Sequence, residues 1–510
     1  MTTDATASTP EPGRPQAAAI HSEEDYPDPR NDLQRQDDES IGAEQSGALT
    51  DTGPDPHRLV DEIIAGIQAE RRETRRFHLA NPPIQFDVLP RHGLPDEPDL
   101  GDTILVASGE LLLRVPADAE TGPDTDADTA GRPGAADEAA PPWRLAQNLL
   151  LGRGYTRVTA DFHQILPVRK YVIADRGADQ LLVDRDEIRA ETGAEVDLNY
   201  VVTAGHLVKA DDYPRKTAAH RCYSPEWIRR HPVTRKVTVA VIDTGINHES
   251  RTDGWLAAIP EGTDNIDPLD VFPVRDVNGQ IHRGDHLLDL SAGHGTFVAG
   301  VVEQVAPACT IVVYRAVDTQ GMGTSDDVGN AIIQAADDGA DIINLSLGTM
   351  TVDNLPPVAF TAALDTVAAA HPDVLIVASA GNTGLEAPMF PAAMKGVVGV
   401  GALAANLTPA PWSNHGFWVN CSAVGVGVIS TFVDGVEPHT DAGAIVTEQF
   451  GPDAWAIWSG TSFSAPQIAG AVAQLCQLND VGPAVALGQL LAGRPTLPGF
   501  GFVIPILPGT

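Results

Sequence analysis

The chain has 510 residues and carries 69 Asp and Glu against 33 Lys and Arg, a formal charge of −36. A field that negative repels phosphate backbones and anionic lipid surfaces, so neither a nucleic acid nor a membrane is expected as a partner. The acid is concentrated in two stretches: residues 1–57 hold 13 acids and 3 bases, and residues 117–142 hold 7 acids and 1 base. Both have too little apolar surface to offset the entropy of ordering, which predicts a disordered acidic tail and a disordered acidic insert.

In chain order, Leu59, Ile63, Ile64 and Ile67 recur at helical spacing and predict a short amphipathic helix. Next come a strand (Thr103–Val115), a helix (Trp143–Leu151), strands near Thr156–Leu166 and Arg169–Ala174, a helix (Val183–Thr192) and a strand (Val196–Thr203). That β-α-β-β-α-β order predicts a small α+β sandwich. From Val237 the texture changes to short continuous apolar runs: Val237–Asp243, Ile311–Val317, Ile342–Leu347, Val374–Ser379 and Val397–Leu403. Runs of this kind are expected of parallel strands buried on both faces. Between two of them, Asp326–Gly339 has one apolar helical face formed by Val328, Ala331, Ile332, Ala335 and Ala336. Alternation of strands and helices predicts a doubly wound α/β sheet, with function at the carboxyl ends of its strands.

Met1–Gln16 lacks a basic start followed by an apolar stretch, and no apolar run is long enough to span a bilayer, so a soluble cytoplasmic protein is expected. The four cysteines (Cys222, Cys309, Cys421, Cys476) form no CxxC pair and are expected to stay reduced, with Cys309 and Cys476 packing in the core. The five methionines form no stripe.

Four segments carry chemistry. In Val239-Ala-Val-Ile-Asp243-Thr-Gly245 an acid ends a buried strand before a glycine turn. In Gly293-His294-Gly-Thr-Phe-Val-Ala-Gly300 a histidine opens a helix of small residues. Ala378-Ser-Ala-Gly-Asn382 puts an amide past a strand end, and Gly460-Thr-Ser462-Phe-Ser-Ala-Pro466 puts a serine at a helix start. A serine hydroxyl is a poor nucleophile until a base takes its proton; an imidazole does this, and a carboxylate fixes the ring's tautomer. Taken singly, each residue reads as a turn former, a helix-start residue or a helix cap.

Together, in this order, the segments resemble the subtilase family of subtilisin-like serine proteases over roughly residues 225–480. The resemblance implies an Asp243, His294 and Ser462 triad, with Asn382 and the Ser462 N–H forming an oxyanion hole. It also implies that Ser346, Leu347, Gly348, Ala380 and Gly381 flank the pocket for the residue before the scissile bond. Gly321 and Gly323 would pair with an extended substrate. Trp412-Ser-Asn-His415-Gly416 resembles a structural loop of the family, and His415 is given no catalytic role. Cys421-Ser-Ala-Val-Gly425 stands where many family members have a Pro-containing turn, which leaves the local geometry open.

The implied fold is an α/β, doubly wound parallel sheet (subtilisin-like) preceded by a small α+β prodomain-like domain. The expected boundaries are a tail at 1–57, a prodomain or inhibitor-like domain at 58–206, a connector at 207–224 and a peptidase domain at 225–510. The segment Leu198–His206 resembles the tail of the family's prodomain, and self-cleavage is expected between about His206 and Ser224. The expected reaction is endopeptidase hydrolysis through an acyl-enzyme, with a protein or peptide substrate and the chain's own N-terminal domain as inhibitory partner. A catalytically silent protein-binding module of the same fold is the alternative. No cofactor is expected; the acid-rich loops between Asp243 and His294 suit a calcium site or solvated surface equally, and no metal-ligand set is assignable. His248 and Glu249, and His282 with His286, lack zincin spacing and are expected in solvated loops. Gly399-Val-Gly401-Ala-Leu-Ala404 lacks the following helix and acid of a dinucleotide site, so its small residues are expected to pack in a strand.

Overall fold

The computed structural model describes residues 84–90, 103–117, 140–158, 165–204, 213–218, 233, 235–272, 274–275, 281–282, 286–441 and 444–507. The acidic tail, the 59–67 helix, nearly all of the acidic insert, most of the connector, and Cys222 lie outside the described residues.

The N-terminal part runs β1 (Phe86–Pro90), β2 (Thr103–Arg114), α1 (Pro142–Gly152), β3 (Thr156–Arg157), β4 (Val168–Val172), α2 (Ala178–Thr192) and β5 (Val196–Thr203). β2 lies between β5 and β4, β3 extends the sheet beyond β4, and β1 pairs with β2; every pairing is antiparallel. Three details differ from the sequence expectation. β1 is an additional strand, the 156–166 strand is confined to Thr156–Arg157 among the described residues, and α1 starts inside the expected insert at Pro142. Proline is favoured at that first helical turn because its missing N–H would have no partner there.

After the short β6 (Arg215–Thr217), the C-terminal part of the chain, which among the described residues holds the larger sheet and three small ones, begins with β7 (Thr238–Asp243). It continues through β8 (Val274–Arg275), β9 (Ile281–His282), α3 (His294–Val305), β10 (Thr310–Arg315), β11 (Met322–Thr324), α4 (Ser325–Asp337), β12 (Ile342–Leu345), α5 (Val358–Ala370), β13 (Leu375–Ser379) and β14 (Val397–Leu403). β15 (Val419–Val424), β16 (Val428–Thr431), β17 (Gly435–Asp441), β18 (Ala444–Phe450), β19 (Trp455–Trp458), α6 (Thr461–Asn479), α7 (Pro483–Leu491), β20 (Thr496–Leu497) and β21 (Gly501–Val503) complete it. The strand order is β10-β7-β12-β13-β14-β15-β21-β20, parallel from β10 through β21. The two faces of the sheet divide as the strand period demands. Val239, Val241 and Ile342 pack in the core under α3 and α6, while Ala240, Ile242, Ile343 and Leu345 pack in the core under α4 and α5.

In the Cys421–Gly425 stretch, Cys421 to Val424 belong to a strand and Gly425 follows it: β15 extends the sheet beyond β14, and Cys421 is buried. Small side chains in this run leave room for α6 on one face, where Ser464 Oγ donates to Ala423 O at 3.1 Å. Gly399 and Gly401 sit within β14, as expected of small residues packed in a strand. Cys309, Cys421 and Cys476 are free thiols; Cys476 is buried in α6 and Cys309 is only half-buried. Among the described residues no helix is long and apolar enough to cross a membrane.

The N-terminal sheet does not stop at its own edge. β5 pairs antiparallel with β11, with Val201, Val202 and Thr203 opposite Thr324, Gly323 and Met322. The β11 side continues with Ala204 N donating to Gly321 O at 2.8 Å, and on the other side Thr203 and Gly348 exchange N–H···O bonds of 2.9 and 3.0 Å. The same strand also reaches the first turns of the two helices beneath the sheet. Val358 N donates to Asp197 Oδ2 at 3.2 Å, and Ser325 Oγ donates to Asn199 Oδ1 at 2.9 Å. Helix first-turn N–H groups lack intrahelical partners, so acceptors placed there are stabilising. Lys170 adds an ion pair to Asp326 of 2.8 Å.

Candidate active site

The four chemical segments meet at the carboxyl ends of β7, β12 and β13. Asp243 is the last residue of β7 and is fully buried. His294 is the first residue of α3, held there because Gly293 takes a left-handed φ of 79° that a side chain would resist. Gly295 must also be glycine, because a Cβ there would lie 2.1 Å from Gly245 O. This contact between the β7 turn and α3 brings acid and imidazole together: His294 Nδ1 lies 2.7 Å from Asp243 Oδ1. An ionised carboxylate only accepts, so Nδ1 carries the proton and Nε2 is left as the acceptor. Nε2 is buried and has no hydrogen-bond partner. The ring is packed edge-on against Trp458, 5.5 Å between centroids, and against Phe463 at 5.4 Å.

Ser462 stands in the first turn of α6, where its N–H is one of those a helix leaves without an intrahelical acceptor. Its hydroxyl donates to Ser346 O at 3.3 Å, so it rests on the wall at the end of β12, with His294 Nε2 still free. Pro466 completes the arrangement. Lacking an N–H, it cannot bond the carbonyl four residues back, and that carbonyl, Ser462 O, accepts Ser346 Oγ at 2.7 Å instead. Asn344 Nδ2 in turn donates to Ser346 Oγ at 2.9 Å.

Asn382 follows β13 and is 9% exposed. Its Oδ1 accepts from Thr461 N at 2.9 Å and from Thr461 Oγ1 at 2.7 Å, which turns the NH₂ end toward the Gly460–Ser462 turn. A Cβ built on Gly460 would stand 3.6 Å from that Nδ2. Of the residues expected to bind substrate, Gly321, Gly323 and Gly348 carry main-chain bonds to β5 or its following residue. Gly381 N donates to Thr461 Oγ1 at 3.0 Å, tying the Ala380–Gly381 wall to the turn before Ser462.

Two buried acids were not singled out by sequence reasoning. Asp267 accepts from Thr244 Oγ1 at 3.0 Å, Leu269 N at 3.1 Å and Gly293 N at 2.9 Å. It thereby links the residue after Asp243 to the residue before His294. Asp289 accepts from Val271 N, Phe272 N and Thr319 Oγ1, and so ties the same loop to the turn preceding α3. Burial pushes the Asp267 carboxyl up to about 6 and the Asp289 carboxyl up to about 8, against the donors that favour their ionised forms. His248 also departs from expectation: its Nε2 contacts Ile259 O at 2.8 Å, and the residue is half-buried in this loop, not solvated. Among the described residues no group of three His, Cys, Asp or Glu side chains could hold a metal ion. His415 stacks on Phe500, centroids 5.7 Å apart, and Asn414 beside it receives Thr383 N and Leu385 N, a loop-bracing arrangement.

The model of the subtilase family matches residues 234–492. The chain is 32% identical over 243 residues to the thermophilic serine proteinase of Bacillus sp. (strain AK1), covering 46% of this chain and 51% of that protein. It is 28% identical over 251 residues to halolysin of Haloferax mediterranei, covering 49% and 43%. It is 30% identical over 235 residues to thermitase of Thermoactinomyces vulgaris, covering 46% and 72%. The chain spans about half the length of the first two relatives.

Proposed function

The chain belongs to the subtilase family, and from that premise we propose that it is a serine endopeptidase that hydrolyses protein or peptide substrates through an acyl-enzyme on Ser462. The observation that carries this reading is the buried 2.7 Å pair of His294 Nδ1 and Asp243 Oδ1 with Nε2 left unpartnered beside the Ser462 turn. In this mechanism Ser462 Oγ leaves Ser346 O, passes its proton to Nε2 and attacks the carbonyl carbon. Asp243 stabilises the imidazolium that forms, and the imidazolium then protonates the leaving amine. The Asn382 NH₂ and Ser462 N–H receive the oxyanion. Water deacylates the serine by the same proton path in reverse. A fluorophosphonate probe tests the reading: it should label wild-type protein on Ser462 and leave Ser462→Ala unlabelled. A native protein that resists the probe and cleaves no peptide would be the silent binding module instead.

Residues 58–206 are proposed to act as the tethered inhibitor of this enzyme. Support comes from β5, which already holds the two main-chain edges that an extended substrate would use, Gly321–Thr324 and Gly348. Counting on from Thr203 opposite Gly348, the antiparallel register reaches Ser346 at the second residue along. That residue is Gly205, which lies outside the described residues, and its carbonyl is the one expected at Ser462.

Asp289 gives the fold a pH dependence whose sign is fixed. Because its folded-state affinity is raised, the stabilisation from its protonated form is complete below the ordinary value of 3.8 and is lost as pH rises through about 8. In a Ser462→Ala background, which prevents self-digestion, the melting temperature should fall between pH 6 and 8 and level off above that. Asp289→Asn, which cannot ionise, should flatten that fall. Parallel declines in the two proteins would assign the dependence to other groups.

A further inference from the structure

The two walls beside Ser462 are lined by glycine, yet the gap between them is filled. A Cβ built on Gly348 would stand 2.8 Å from Met389 Cγ and 3.0 Å from its Sδ, and one built on Gly381 would stand 2.7 Å from its Cε. The Met389 side chain therefore runs from the Ser346–Gly348 wall to the Ala380–Gly381 wall and touches both. It is packed there, at 9% exposure.

Its main chain is pinned as well. Thr349 and Phe390 exchange N–H···O bonds of 2.8 Å each, bridging the residue after Gly348 to the residue after Met389, and Ala393 N donates to Met389 O at 2.8 Å. The Gly381 side is closed further by Asn414, whose Nδ2 would lie 2.7 Å from a Gly381 Cβ. Asn414 is itself buried and held by Thr383 and Leu385. Both walls attach to the nucleophile's turn: Ser346 O accepts Ser462 Oγ, and Gly381 N donates to Thr461 Oγ1. The gap thus opens beside the reacting hydroxyl, where the side chain of the residue on the acyl side of the cut must go.

We infer that Met389 determines specificity by occupying that gap, restricting the residue before the scissile bond to glycine or alanine. The inference rests on the protease reading above. Glycine walls would otherwise leave room for a guest side chain; here the protein's own thioether takes it. A large guest would have to expel three buried side-chain atoms, Cγ, Sδ and Cε, from contact with both walls. The chain's own sequence agrees with this limit, since Thr203 on the outer wall is followed by Ala204 and Gly205.

The test uses full-length protein allowed to mature, its active sites counted with a fluorophosphonate, and peptides that differ only in the residue before the cut. Since one methylene alone is worth about 10–200-fold in such a pocket, wild type should favour Gly and Ala over Leu and Phe by about 100-fold or more in kcat/KM. Met389→Ala should raise the Leu and Phe values by at least about 10-fold. Should that variant fold poorly, the wild-type profile decides alone. Probe-labelled wild type that cleaves after Leu or Phe as well as after Ala overturns the inference while leaving the protease reading intact. So does a Met389→Ala profile identical to wild type. Protein that neither labels nor cleaves overturns both.

Discussion

Ser462→Ala should reduce kcat by about 10⁶, a magnitude taken from subtilisin itself, a member of the same family. On the proposed mechanism the size follows from the role of the side chain: without an oxygen nucleophile no acyl-enzyme would form, and His294 would have no proton to accept. His294→Ala should cost nearly as much, and combining the two should add little, because base and nucleophile act as a unit. Asn382→Ala should be milder, about 10²–10³ in kcat, since the Ser462 N–H still meets the oxyanion. The measurement is single-turnover cleavage of a peptide with Ala before the cut, with circular dichroism to check each fold. Near wild-type turnover by Ser462→Ala would remove the serine from the mechanism altogether.

Wild-type protein should shorten itself to a form whose N-terminus is His206, while Ser462→Ala stays at full length. The expected bond follows from the β5 register, which holds Thr203 to Gly348 and Ala204 N to Gly321 O; on the proposed reading, the same register carried one residue further would bring the Gly205 carbonyl to the serine. On that reading Val201–Ala204, just before the new carboxyl end, keep their pairings to the two edges after the cut. Segment 58–205 supplied separately should therefore inhibit the matured enzyme. N-terminal sequencing and a titration with that segment decide the matter. A cut further along 207–224 would mean that the register does not continue past Ala204. An intact, fully active wild type that ignores the added segment would make the N-terminal part an accessory domain.

The sequence was most legible where burial is two-sided. The Val and Ile runs of β7, β12, β13 and β14 admit no polar face, so strand and parallel sheet follow together, and the observed strands begin or end within two residues of the apolar runs. β1 escaped because Phe-Asp-Val-Leu-Pro is too short to establish a period. β15 escaped because Val-Asn-Cys-Ser-Ala-Val fills its site with small and polar side chains whose partners are distant in sequence. At the site, Asp243, His294, Asn382 and Ser462 stood out by local pattern, and the structure brings them around one turn. Asp267 and Asp289 did not, because charge counting cannot separate a carboxylate buried under backbone N–H groups from its solvated neighbours. Met389 carried no signal either; only its placement between two distant glycines gives it meaning.

On the proposed reading, the pairing of one strand along both edges at once, β11 on one side and Gly348 on the other, would set a requirement on any protein to be cut. A bound segment must give up its own hydrogen-bonded neighbours on both flanks for several residues, which helices and sheet strands of a folded client do not do. On the proposed reading, the enzyme therefore samples the unfolded fraction of its clients. When a client segment opens and closes faster than it is cut, the cleavage rate follows the equilibrium population of the open form. Each 1.4 kcal/mol of added local stability then protects the client about tenfold. Two clients with identical sequences around the cut would be degraded at rates set by how firmly each holds that segment shut.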